Sequence, residues 1–215
     1  MTAEEKLNAI LAYYNPEGQD MIRRAYDIAS LSLSGIVRSD GSPFINHPLN
    51  VSLIAADEIG LSAECVTAVF LHETITRGNA PADIYPTFPS DVAKLVDGLN
   101  HISGIKPKDT RLEAENYKRL IVSYSTDPRI IVLKLADRLE VMRVLDIFPK
   151  SARDNKVLET SMLYIPLSHQ LGLYNMKSEL EDIYFKHSEP QQYRAIQNNL
   201  KATEKDRKKN YRTVH

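Results

Sequence analysis

Residues 129–145 read RIIVLKLADRLEVMRVL, and the period of this stretch decides the fold. Val132, Leu135, Ala136, Leu139 and Met142 recur at helical spacing, so one apolar stripe runs the length of the segment. The opening IIVL could open a strand, but no alternating segment elsewhere offers it a partner. Asp127-Pro128 breaks the chain just before it.

The helical pattern continues in both directions. Thr2 and Glu5 have capping-box spacing ahead of Leu7, Ile10 and Leu11. Asn15-Pro16 stops that helix and starts the next, which carries Ile22, Tyr26 and Ala29. Residues 34–46 hold two Gly, a Pro and several short polar residues and are expected to form a loop. A helix from about Pro48 closes at Gly60, and Ser62 is expected to cap the next, which carries VFLHETI at 69–75. Residues 77–90 read as an irregular link, and Asp91–Val96 as a short helix closed by Gly98. Thr110 and Glu113 repeat the capping-box spacing for a helix to about Ser125. Helices at 151–171, 176–187 and 191–210 complete an all-α bundle, with residues 1–190 as one domain and 191–215 as a basic extension.

Composition fits that reading. The chain has 215 residues, 43% of them hydrophobic and 26% charged, enough apolar content for a core without staples. Cys65 is the single cysteine, which rules out an internal disulfide or a Cys-rich zinc site and suits a reducing compartment. No apolar run approaches a membrane span, and the acidic start MTAEEKLNAI is no signal peptide, so a cytoplasmic protein is expected. The net charge of −1 argues against a global field for nucleic acid. Residues 191–215 carry seven Lys/Arg against Glu204 and Asp206, the pattern of a solvated helix rather than a nucleic-acid surface.

Four residues carry candidate chemistry: His47, His72, Glu73 and Asp137. Imidazole nitrogens with carboxylate oxygens suit a divalent transition ion such as Mn, Fe or Zn. Asp137 lies in an apolar helix and needs a partner there. A metal would serve, and so would Lys134, Arg138 or Arg143. A hydrogen-bonded cluster without metal is the alternative for all four.

The order of these residues, with a His-acid pair 25 residues after the first His and an Asp 65 residues after that pair begins, resembles the HD superfamily of metal-dependent phosphohydrolases. RSDGSPFINHP (38–48), AENYKRL (114–120), IIVLKLADRLEVMRVL (130–145), LETSMLYIPLSHQLGL (158–173) and MKSELEDIYF (176–185) are similar to the RelA/SpoT family of alarmone enzymes. The resemblance spans about residues 20–190. It implies an N-terminal domain that removes pyrophosphate from the 3′ position of (p)ppGpp with one Mn²⁺. It further implies a downstream synthetase domain that makes the same nucleotide. This chain would end about where that domain begins, and the parent protein would be a GTP pyrophosphokinase.

The resemblance also marks departures. His47, His72 and Asp137 match the family's metal ligands, while Glu73 stands where the family has Asp. Thr76 and Arg77 replace a Glu-Asp pair that serves the attacking water. Arg38 is kept for the nucleotide, but Ser39 replaces a basic residue and Asp40, expected to repel an anion, replaces Ser. Glu140, Val141 and Val144 replace His, Asn and Thr, whereas Arg143 is retained. Metal ligands His47, His72, Glu73 and Asp137 and nucleotide contacts Arg38, Ser39 and Arg143 are therefore expected, with no catalytic acid or base assigned. Three functions follow: a degenerate hydrolase domain that regulates a synthetase, a working Mn²⁺-dependent phosphohydrolase in which Glu73 ligates or serves as base, Arg77 clamps a phosphate and Glu115 or Glu140 supplies the acid, or a nucleotide-sensing module in which Arg38 and Arg143 hold the anion.

Overall fold

The computed structural model describes residues 1–77, 87–104 and 127–213, with side chains described to 102 in the second stretch and to 203 in the third. The expected helix at 110–125, the word at 114–120 and Glu115 lie outside the described residues, as does most of the 77–90 link. Among the described residues the fold is all-α, and the one extended pairing is an isolated bridge between Val37 and Pro43. No helix among them is long and apolar enough to cross a membrane.

Helix α1 spans Ala3–Leu11, and its capping box forms as the spacing implies: Thr2 Oγ1 accepts from Glu5 N–H, and Glu5 reaches back to Thr2 N–H. Helix α2 spans Pro16–Ser32, with Asn15 accepting from Gly18 N–H and Pro16 in the first turn. Helix α3 spans Asn46–Leu53 and continues through a π turn, Ile54–Ile59, to Gly60. Gly60 has φ of 77°, a left-handed conformation that ends helices and that Gly adopts without a Cβ penalty.

Helix α4, Ala63–Thr76, is buried at every position from Cys65 to Thr74 and forms the axis of the domain. A helix apolar all round must be enclosed on all sides, and α2, α3 and the next two helices surround it. Ser62 stands at its N-cap without the expected side-chain cap; its hydroxyl meets Cys65 Sγ instead.

Helix α5, Ser90–Gly104, runs straight through Gly98. The expected stop there does not occur, because Gly98 serves packing rather than termination. A Cβ at Gly98 would collide with Ile130 of the next described helix, so the missing side chain lets the two helices approach. Helix α6, Pro128–Arg143, starts at Asp127, whose carboxylate accepts from Arg129 N–H. Its buried Leu133, Leu135, Ala136, Leu139 and Met142 face the core.

Helix α7, Lys150–Glu159, passes through a π turn, Thr160–Tyr164, into α8, Ile165–Gln170. Pro166 lacks an N–H and would break a regular ladder; the wide turn just before it lets the run continue. Helix α9 spans Tyr174–Ser188 and α10 spans Pro190–Thr213.

Candidate functional site

The start of α3, the end of α4 and the middle of α6 converge on one cavity of about 600 Å³. The loop before α3 is fixed by its own backbone. Arg38 N–H donates to Ser42 C=O, Gly41 N–H donates back to Arg38 C=O, and Phe44 N–H donates to Ile36 C=O. Gly41 has the positive φ that this reversal needs. Asp40 accepts from the N–H and hydroxyl of Ser42, which hold its carboxyl below the usual range. Asp40, expected to repel an anion, closes its own exposed loop and does not line the cavity.

Three of the four expected metal ligands present donor atoms within 4.8 Å of one another: His47, Glu73 and Asp137. His47 Nε2 lies 3.1 Å from Asp137 Oδ1 and 3.5 Å from Glu73 Oε1. Bonds of about 2.0–2.2 Å to a central ion separate donors by roughly such distances, so the three fit a divalent cation. His72 is adjacent rather than inside the group, with Nε2 3.9 Å from Glu73 Oε1. Its Nδ1 lies 2.6 Å from Asn100 Oδ1, a partner on α5 that requires Nδ1–H and leaves Nε2 unprotonated toward the cluster. Burial also pulls the His72 pKa down, which favours the neutral imidazole that a metal requires.

Burial would lower the His47 pKa as well, but Asp137, Glu140 and Glu73 override it and hold it well above its ordinary value. Asp137 is held well below the usual carboxylate range against the effect of burial, first by Lys134, 2.8 Å away, and then by His47. Lys134 is therefore the side chain that answers the charge of Asp137; Arg138 instead pairs with Glu159 at 2.7 Å.

Glu140 is the residue the sequence reading undervalued. It is 2% exposed and does not line the cavity. Its Oε2 lies 2.6 Å from His47 Nδ1, its two oxygens accept from Arg38 at 2.7 and 3.2 Å, and Asn50 donates to it at 3.1 Å. It turns Nε2 of His47 toward the cluster, the usual work of a carboxylate behind a metal-binding imidazole. It has no capacity left to serve as the missing acid. The available signal was its place three residues after Asp137, on the same face of an apolar helix.

Arg38 and Ser39 line the cavity, but the Arg38 guanidinium is already spent on Glu140. Arg143 does not line it. Six residues beyond Asp137 is about 240° around the helix, and there Arg143 pairs with Glu58 at 2.6 Å and Glu179 at 2.7 Å. The pairing of Arg38 with Arg143 as one anion site fails on this geometry. Thr76 and Arg77 close the cavity at the end of α4: Thr76 donates to His72 C=O at 3.1 Å, and the Arg77 guanidinium lies on the Phe44 ring at 4.6 Å.

Residues 18–174 match the model of a family described as HD domain. The chain is 39% identical over 207 residues to the guanosine-3′,5′-bis(diphosphate) 3′-pyrophosphohydrolase of Aquifex aeolicus (strain VF5), covering 96% of this chain and 29% of that protein. It is 37% identical over 209 residues to the bifunctional (p)ppGpp synthase/hydrolase SpoT of Escherichia coli (strain K12), covering 95% of this chain and 29% of that one. The chain thus spans less than a third of the length of these relatives. A solved structure reported as "A metazoan ortholog of SpoT hydrolyzes ppGpp and plays a role in starvation responses" superposes with a TM-score of 0.58 at 23% identity, over 79% of this chain and 96% of that one. At that identity the likeness establishes the all-α fold.

Proposed function

This chain belongs to the HD-domain family, and from that premise we propose that it is a degenerate (p)ppGpp 3′-pyrophosphohydrolase domain, 1–190, of a RelA/SpoT-type cytoplasmic protein. It keeps the fold and a metal cluster, with hydrolysis weak or lost, and acts by regulating a synthetase domain of the same chain joined through 191–215. The observation that carries the reading is the lining of the cavity. The carboxylates there among the described residues are Glu73 and Asp137, and both belong to the cluster.

His47, His72, Glu73 and Asp137 would hold an Mn²⁺, which supplies Lewis acidity at a phosphoryl group. Glu140 orients His47, and Asn100 orients His72. Among the described residues, the cavity offers no acceptor outside the cluster for the proton of an attacking water. The Thr76 hydroxyl is committed to a backbone carbonyl, and Arg77 is a permanent cation. A positioned general base contributes about 10²–10⁴-fold in rate, so a loss of that order is expected.

Pyrophosphate release from ppGpp with added Mn²⁺, with His72→Ala as the control, tests this. Wild type is expected to release little more than the control, and combining Glu73→Asp, Thr76→Glu and Arg77→Asp to raise release at least about 10²-fold. Brisk wild-type release that disappears in His72→Ala would instead establish a working Mn²⁺-dependent hydrolase.

A further inference from the structure

The two walls of the cavity differ in their electrostatic balance. On one wall each basic side chain meets a carboxylate: Lys134 pairs with Asp137, His47 with Asp137 and Glu73, and Arg38 with Glu140, which is buried behind the wall. The other wall brings Arg77 from the end of α4, Arg138 from α6 and Lys156 from α7 to the same space. Among the described residues its partners are fewer. Arg138 Nη2 pairs with Glu159, but Arg138 Nη1 is buried without a hydrogen-bond partner. Arg77 approaches Glu73 through Nε at 3.4 Å, against a carboxylate already shared with His47. Lys156 has no carboxylate within ion-pair distance among the described residues.

Each of these cations rests on an aromatic ring. Arg77 lies 4.6 Å from the Phe44 centroid, Arg138 4.2 Å from Tyr164, and Lys156 Nζ 4.5 Å from Phe148. A guanidinium on a ring uses its face, and its in-plane N–H groups remain for an oxyanion. Burial and the neighbouring Arg138 also push the Lys156 pKa down, and the more distant Glu159 and Asp137 do not offset them. Clustered cations in a half-enclosed space are costly unless an anion completes them.

We propose that Arg77, Arg138 and Lys156 form an anion site that binds a phosphate or pyrophosphate group without a metal, beside the His47–Glu73–Asp137 cluster. It deepens the reading above by naming the group that this cavity takes, and it gives Arg77 a binding role at a position that no longer serves proton transfer. The site adjoins the metal cluster through Arg77 and Glu73, and the cavity volume accommodates a nucleotide around the bound group.

The test is calorimetric titration of the protein in EDTA with inorganic phosphate, inorganic pyrophosphate and ppGpp. Pyrophosphate is expected to bind, and Arg77→Gln and Lys156→Gln each to weaken it about tenfold or more. Lys156→Arg should restore most of the affinity, and Arg143→Gln, outside the cavity, should leave it unchanged. Binding by ppGpp but not by pyrophosphate would place the recognition elsewhere and overturn the site. No pyrophosphate binding at millimolar concentration would overturn it too, as would equal weakening in Arg143→Gln. Melting curves of Arg77→Gln and Lys156→Gln show whether each is folded, and retained pyrophosphate affinity in either folded variant counts against the site. Turnover of ppGpp with Mn²⁺ is read separately. Binding in EDTA with brisk turnover sinks the loss of hydrolysis and leaves the anion site standing, while neither binding nor turnover does the reverse.

Discussion

Arg38 and Arg143 answer to the same residue type on paper and end in opposite surroundings. The Arg38 side chain is 7% exposed and meets one carboxylate, Glu140, in a two-pronged pair that also holds His47 and Asn50. Arg143 is a third exposed and bridges two carboxylates, Glu58 and Glu179, which come from the α3 extension and α9. Both glutamates hold its guanidinium charged. The first pair organises a site, and its loss would strand a buried charge. The second ties three elements together at the surface, where water and salt share the work. The number of ion-pair contacts therefore ranks the two wrongly, and burial ranks them correctly.

The difference can be broken most sharply at Glu140. Glu140→Ala leaves Arg38 buried without its partner and is expected to cost about 3–5 kcal/mol, read from urea unfolding. A smaller loss would mean that water reaches Arg38. The double change Arg38→Met with Glu140→Leu removes both charges and is expected to recover most of that stability. The same double variant loses the carboxylate behind His47, so its Mn²⁺ affinity should fall about 10–100-fold while the fold persists. Unchanged affinity would detach Glu140 from the metal cluster.

Arg143→Ala is expected to cost only about 1 kcal/mol or less, and the cost should shrink further in high salt. A cost insensitive to salt would place Arg143 with Arg38 rather than opposite it. Arg129 repeats the exposed arrangement, pairing with Asp91 and Asp127 at 2.7 and 2.6 Å. Its hydrogen bonds hold both carboxyls below their ordinary value of 3.8. A lowered folded pKa means that their stabilisation is complete above 3.8 and is lost as pH falls through the folded values. Arg129→Met should therefore flatten the fall of the urea midpoint on the acid side of that pH.

Much of the fold was legible because its signals are local. The Thr2–Glu5 box, Asn15-Pro16, Asp127-Pro128 and Gly60 each act within one helical turn, and each stands where the pattern put it. Gly98 was misread for the opposite reason: a glycine at a helix end and a glycine at a helix crossing look alike until Ile130 is in place. His47, Glu73 and Asp137 could be nominated from order and chemistry, and their separations belong to three helices meeting.

The sequence by itself determined the all-α class, the helix starts and the candidates for a metal, because periodicity, caps and ligand chemistry are properties of residues and short spacings. Only the tertiary structure decided that Glu140 stands behind His47, that Arg143 turns away from the cavity, and that Arg77, Arg138 and Lys156 share one wall. Those outcomes depend on the rotation of α6 and on where α4 and α7 meet it, and side chains far apart in the chain acquire their electrostatic partners only when helices pack.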